Sequence, residues 1–274
     1  MMNLKVFQVT KMKKLLLSLF CFMSVNAAEL DLGLGAGTMF YPDYLGSKNN
    51  NTLFIPYPYI SYKSDKLNID REGLKQKFLR YGDFSLELSA SGSLPVESSG
   101  AREGMKDLDP ALEIGPALIY TAYKNDNLSL KLDLPLRAVL SSDFKGVDYR
   151  GYVYELRGEL EYKFNDYQLQ LHTGLMYSDS KYHNYLYGVS SSEITSSRAS
   201  YQAKGGYTAY KTSVGLSKRF DNIWAGTFVR HYSLNQSSIE NSPLKDRNSA
   251  LYGGVFIAYI FDDAITRSIK NWLE

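Results

Sequence analysis

The chain has 274 residues and carries 31 lysines and arginines against 29 aspartates and glutamates. So even a balance gives no basic footprint for nucleic acid. One cysteine excludes a disulfide framework and 3 scattered histidines argue against a metal centre.

Met12-Lys13-Lys14 opens a basic segment, the apolar run Leu15 to Val25 follows, and Val25-Asn26-Ala27 supplies small-x-small spacing. This is the pattern of a secretory signal over residues 1–27, too short to span a membrane as a helix, with Met12 as an alternative start. Phe20 precedes Cys21, where a lipoprotein signal has a small residue, so the pattern argues against lipidation. Removing residues 1–27 takes away four lysines and no acid, leaving 27 basic groups against 29 acidic ones and no cysteine.

The remaining chain reads as strands. Leu128, Leu130, Leu132, Leu134 and Leu136 alternate with Ser129, Lys131, Asp133, Pro135 and Arg137. Tyr152, Tyr154, Leu156, Gly158, Leu160, Tyr162 and Phe164 alternate with Val153, Glu155, Arg157, Glu159, Glu161 and Lys163. Tyr167, Leu169, Leu171, Thr173, Leu175 and Tyr177 alternate with Gln168, Gln170, His172, Gly174 and Met176. A period of two gives each strand one apolar and one polar face. In a soluble sandwich the apolar face is the core; in a membrane barrel it meets lipid and the polar face lines the lumen. Two features favour the barrel. The runs exceed the usual length of about five or six residues, and aromatics bracket their aliphatic middles as an interfacial girdle does.

Turn spacing orients the chain. Tight turns at Ser64-Asp65-Lys66, Tyr81-Gly82-Asp83, Lys124-Asn125-Asp126, Asn165-Asp166 and Asp221-Asn222 alternate with long loops near 42–51, 94–108, 141–147, 178–206 and 236–248. Short turns are periplasmic and long loops extracellular in such barrels. Strands are expected at about 30–41, 53–63, 83–93, 109–123, 127–140, 148–164, 166–178, 207–220, 222–235 and 249–261. Two short ones between Lys66 and Arg80 turn at Arg71-Glu72-Gly73. The fold class is all-β: a transmembrane antiparallel up-and-down β-barrel of about twelve strands over residues 28–261, ten if the short pair does not span. In the tail, residues 262–274, Ile265, Ile269, Trp272 and Leu273 fall at helical spacing. That reads as a short periplasmic amphipathic helix, or a docking element for a periplasmic partner.

Leu32-Gly33-Leu34-Gly35-Ala36-Gly37 followed by Tyr41-Pro42-Asp43-Tyr44-Leu45-Gly46-Ser47 is similar to the first strand and Y-x-G-S loop of the MipA/OmpV (MltA-interacting protein) family. Pro56-Tyr57-Pro58-Tyr59-Ile60, Tyr187-Gly188-Val189-Ser190 and Asn241-Ser242-Pro243-Leu244 resemble later family stretches in the same order. The resemblance implies an outer-membrane barrel without cofactor or catalytic residue, serving as a scaffold for the peptidoglycan machinery. Its implied partners are outer-membrane lipid and a periplasmic murein hydrolase or synthase. A small-solute channel is the alternative function. The family's barrels usually end on an aromatic residue, whereas thirteen residues follow Phe261 here.

The residues offer three candidate sites. Lys131, Asp133, Arg137, Glu155, Arg157, Glu159 and Glu161 all point into the lumen, where burial demands that they pair or be wetted. Tyr182, Tyr185 and Tyr187, with the serine-rich run after them, suit an adaptable binding loop or a loop folded over the barrel mouth. His231 and Ser233 share a strand face, the arrangement a lipid hydrolase would need. Leu234 stands where such hydrolases have an asparagine directly after the serine, and no acidic orienting residue is identifiable. The reading is therefore of a protein that is not an enzyme.

Overall fold

The computed structural model describes residues 29–63, 67–70, 73–143 and 145–262. The expected signal segment, the Ser64-Asp65-Lys66 turn, Arg71 and Glu72 of the turn expected at Arg71-Glu72-Gly73, and the expected tail helix lie outside the described residues. Twelve antiparallel strands close into one barrel in sequence order. They are β1 (Glu29–Pro42), β2 (Asn50–Lys63), β3 (Leu67–Asp70), β4 (Gly73–Tyr81), β5 (Phe84–Ser93), β6 (Ala111–Lys124) and β7 (Leu128–Ser142), followed by β8 (Val147–Phe164), β9 (Tyr167–Ser178), β10 (Gly206–Phe220), β11 (Ile223–Ser233) and β12 (Ser249–Ile260). The single α-helix among the described residues, α1 (Ser180–Tyr187), lies in the longest loop.

Alternation places the side chains as the sequence demands. Leu132, Leu134, Leu136, Tyr152, Tyr154 and Leu156 are exposed on the outer face, while Asp133, Arg137, Val153 and Glu155 are buried inside. Tyr154 stacks on Tyr177 with centroids 5.2 Å apart near the long loops, and Phe164 stacks on Tyr167 at 5.3 Å near the short turns. These outward aromatics form the two girdles. The tight hairpins use left-handed backbone: Asn165 at φ 50°, Asp221 at φ 47° and Gly82 at φ 58°. Such geometry matches the twist of the flanking strands, and Asn, Asp and Gly tolerate it best.

The seam pairs β1 with β12 from Gly33↔Ile260 to Phe40↔Gly253. Inside it, Tyr59, Trp224, Ala258 and Ile260 form a buried cluster with Phe256 packed against it. The inward glycines of β1 make room for it: a Cβ on Gly37 would strike the Phe256 ring, and one on Gly35 would meet the Ile257 carbonyl and the Ala258 side chain. The cluster lies just above the Asp221-Asn222 turn and floors the lumen at the periplasmic end.

Leu156→Arg puts a cation on the lipid face mid-strand, and the expected loss is about 2–4 kcal/mol. Reversible urea unfolding in bilayers reads it, with Gln170→Arg on the lumen face as the control that should lose much less.

Candidate functional site: a charged belt beneath a mouth plug

Ion pairs run along the lumen wall from β6 to β10 at mid-height. Asp133 and Arg157 are directly opposite in the β7–β8 register, and the two side chains form a salt bridge. Arg157 also reaches Glu159 at 3.0 Å and Glu155 at 3.9 Å. Arg137 Nε donates to Glu113 at 3.0 Å, its Nη2 donates to Glu155 at 2.8 Å, and its Nη1 donates to the Ser89 hydroxyl at 3.3 Å. Lys211 Nζ donates to the other Glu155 oxygen at 2.6 Å. That bond crosses β9, where Gly174, the register neighbour of both Lys211 and Arg157, leaves the space open. His172 Nδ1 lies 3.7 Å from Glu159.

Five of the seven charges expected in the lumen therefore belong to one belt. Lys131 and Glu161 do not. They sit nearer the periplasmic end, where Glu161 meets Lys163 at 3.5 Å and Lys131 makes no ion pair with a described residue. The sequence reading missed Glu113 and Lys211. Both were findable, because Leu112 and Ile114 flank Glu113 and Tyr210 and Thr212 flank Lys211 in the same period of two.

The belt parts two chambers. The upper one, about 320 Å³, is bounded by Glu113, Arg137, Glu155, Tyr182, Tyr232 and Tyr252. The lower one, about 310 Å³, is bounded by Glu159, His172, Ser213, Trp224, Phe228 and Phe256. Arg157, Lys211 and Arg230 line both.

A plug of loops covers the upper chamber. Asp179 caps α1 by accepting from the Tyr182 amide at 2.9 Å. The helix turns Tyr182, His183 and Tyr187 into the protein, and all three line the upper chamber with Tyr185. Asp179 at the N-cap position was the available helix-start signal. Tyr187 donates its hydroxyl to the Leu45 carbonyl at 2.8 Å, Tyr44 donates to the Leu244 carbonyl at 2.7 Å, and Ser242 donates to the Tyr187 carbonyl at 2.8 Å. Tyr185 is half-buried and reaches the Asp109 carbonyl at 3.4 Å. The Gly46 carbonyl accepts from the Asp246 and Arg247 amides at 2.8 and 2.9 Å, on a backbone at φ 90° that favours glycine. Beneath these bonds Tyr44, Val96, Leu108, Tyr187, Leu234 and Ile239 pack as an apolar core. Burial raises the Tyr182 and Tyr187 phenols well above their ordinary value, so both stay neutral.

The loop motifs noted in the sequence thus meet physically: the 41–47 stretch, the 187–190 stretch and the 241–244 stretch hold one another in the plug. Comparison with known proteins agrees. The family model described as MltA-interacting protein MipA matches residues 34–261. The chain belongs to the MipA family. Among its curated relatives, the outer membrane protein Omp26La of Vibrio anguillarum is 32% identical over 88 residues, which are 32% of this chain and 34% of that protein. The outer membrane protein OmpV of Vibrio cholerae is 33% identical over a stretch of the same coverage. The match thus spans about a third of the length of each relative. Among solved structures, the NanC porin is 11% identical at a TM-score of 0.38, covering 84% of this chain and 99% of its own. OprG of Pseudomonas aeruginosa is 10% identical at 0.22, covering 86% and 95%. This MipA-family chain is a β-barrel of the outer membrane.

His231 is exposed on the lipid side of β11, in line with Val229, and Ser233 lies two residues further toward the mouth. No hydrogen bond joins them, so the geometry brings a nucleophile and base onto one face without engaging them.

Two expectations follow. Arg137→Met strands Glu113 and Glu155 without their shared cation, and the barrel should lose about 3–5 kcal/mol in urea unfolding. The plug should respond to pH through His183. Its Nδ1 lies 2.7 Å from the Lys204 carbonyl and its Nε2 2.9 Å from the Thr208 hydroxyl. Burial lowers its pKa from the ordinary 6.5, with the carbonyl bond opposing the shift. The plugged state thus prefers the neutral ring, and its stability is full above pH 6.5 and falls as pH drops from there toward the depressed value. Amide exchange across α1 should quicken on acidification in that window, and His183→Gln should flatten the response.

Proposed function

We propose that this MipA-family barrel is a scaffold of the cell envelope, working through its surfaces with its lumen closed, and that its partner is a periplasmic murein hydrolase or synthase. The observation carrying this reading is the double closure: a belt of buried ion pairs at mid-lumen and a hydrogen-bonded plug above it. Solute passage requires both to open. The family model's description as an MltA-interacting protein supplies the partner class. Such a partner meets the barrel from the periplasm, where the short turns stand and where the segment after Phe261 begins.

A gated channel is the second reading, favoured by the stacking of two chambers along one axis with only a layer of side chains between them. Planar-bilayer recording separates the two. The scaffold reading expects a folded, heat-modifiable barrel to stay silent; discrete steps that grow on Arg157→Ala would favour the channel.

The partner is tested by capture of a purified lytic transglycosylase on the immobilised full chain. Capture should survive Glu155→Gln. It should fall when the turns Asn165-Asp166 and Asp221-Asn222 are each replaced by Gly-Gly, which keeps their backbone geometry. Unchanged capture after the turn replacements, and after removal of the residues beyond Phe261, would sink the periplasmic-docking idea.

A further inference from the structure

The barrel wall is incomplete on one side. β2 pairs with β1 along all fourteen residues, but its other edge meets β3 only at Tyr62 and Lys63. β3 and β4 turn back at Asp70↔Gly73, and β4 pairs with β5 only from Phe84 to Glu87. Asn50 to Ser61 and Leu88 to Ser93 are therefore left, among the described residues, with no strand paired between them. The cause is chain length, because a four-residue β3 cannot climb beside a fourteen-residue β2. The opening is bounded below by the β3–β4 hairpin. Above it the Asn49 amide donates to the Ser99 hydroxyl at 3.1 Å.

Three observations make this gap a window into the upper chamber. That chamber is lined by the unbroken run Glu87 to Leu94 and so lies along the length of β5 whose outer edge is unpaired. Ser91 and Ser93 follow Glu87 and Ser89 on the lumen face yet are exposed. And β2 carries Pro56 and Pro58 at alternate positions. The β1–β2 ladder runs through both without interruption, whereas pairing is lost beside Pro116 on β6 and Pro135 on β7. The missing N–H groups of Pro56 and Pro58 thus fall on the window edge. A pairing strand would find two successive donors missing there, as at edges kept from β-addition.

We infer that the window admits a single-chain amphiphile from the outer leaflet, with its apolar chain lying in the wall opening and its polar head in the upper chamber. The rim facing lipid is apolar, formed by Phe54, Pro56, Pro58, Ile60, Leu88 and Ala90. Behind it stand Ser89, Ser91, Ser93 and Glu113. The head in the chamber meets the Ser89, Ser91 and Ser93 hydroxyls beside the Glu87 and Glu113 carboxylates, surroundings that suit a neutral, hydroxyl-bearing head over an anionic one, as in a monoacylglycerol. At about 320 Å³ the chamber is at the lower end of small-ligand sites. This inference is independent of the scaffold reading, since the window leads to lipid and leaves the belt closed.

The test uses a monoacylglycerol with a diazirine in its head, and a fatty acid with a diazirine beside its carboxylate, each in vesicles holding the full-length barrel. After irradiation, adducts are mapped by mass spectrometry. The expected result is monoacylglycerol adducts on lumen-facing Ser89, Ser91 and Glu113. In a Cys21→Ser parent, Ser91→Cys is then coupled to a bulky maleimide after folding, with heat-modifiable gel mobility as the fold check. Blocking should remove the lumen adducts and leave those on the outer wall. Adducts confined to the outer wall would overturn the inference, as would lumen adducts from the fatty acid alone or lumen adducts that survive the block.

Discussion

Glu155 holds the lumen together. Its two oxygens take Arg137 from one side and Lys211 from the other, with Arg157 close by, so strands β7, β8 and β10 are tied through one carboxylate. The bilayer makes this necessary. A strand crossing lipid has one face that must be apolar, and every charge it carries goes inward. Inside a barrel of this size those charges lie too close to stay separately hydrated, and each is costly unless an opposite charge neutralises it. Pairing them across strands turns that cost into a cross-link perpendicular to the barrel axis. The division of the lumen follows from the same step, because Arg157 and Lys211 of the belt stand between the two chambers and line both.

The plug is built from other forces. Its contacts are neutral hydrogen bonds from tyrosine and serine hydroxyls to carbonyls, over an apolar core outside the membrane band. Salt screens exposed charges and reaches buried pairs weakly, so neither closure should yield readily to ionic strength. His183 adds to the plug a sensitivity to acidification below pH 6.5, since burial lowers its pKa from the ordinary value. Opening the mouth would therefore expose the upper chamber and leave the lower one shut.

Much of this was legible in the sequence. Period-two alternation and turn spacing placed the ten long strands to within a few residues, because one lipid face and one lumen face constrain each strand, and the need to return to the periplasm between Lys66 and Arg80 supplied the short β3 and β4. The belt was legible as a set of inward charges, but its membership was not. Glu113 and Lys211 sit on strands whose inward faces also carry small and apolar residues, so they stood out less than the run on β8. Which charges meet depends on register and on the gap left by Gly174, and neither is visible in a strand taken singly. The α1 helix was hidden by composition. Its tyrosines and serine-rich surroundings read as a loop, and tertiary packing beneath Tyr44 and Leu234 decides that the segment coils.

The two prolines of β2 mean something different in sequence and in structure. In a strand read alone, Pro56 and Pro58 only weaken the prediction of a strand, since proline removes a ladder donor. Set on one of the two strand edges that border the gap, they protect it. A free edge in an otherwise paired wall invites another chain, and removing its donors blunts that invitation without disturbing the seam to β1. Short β3 and β4 strands with prolines facing the gap are mutually consistent local choices, and such consistency across levels distinguishes a specified opening from a packing defect. The belt can then stay shut while the chamber above it communicates with the membrane, so closure to solutes and access for lipid arise from different parts of one wall.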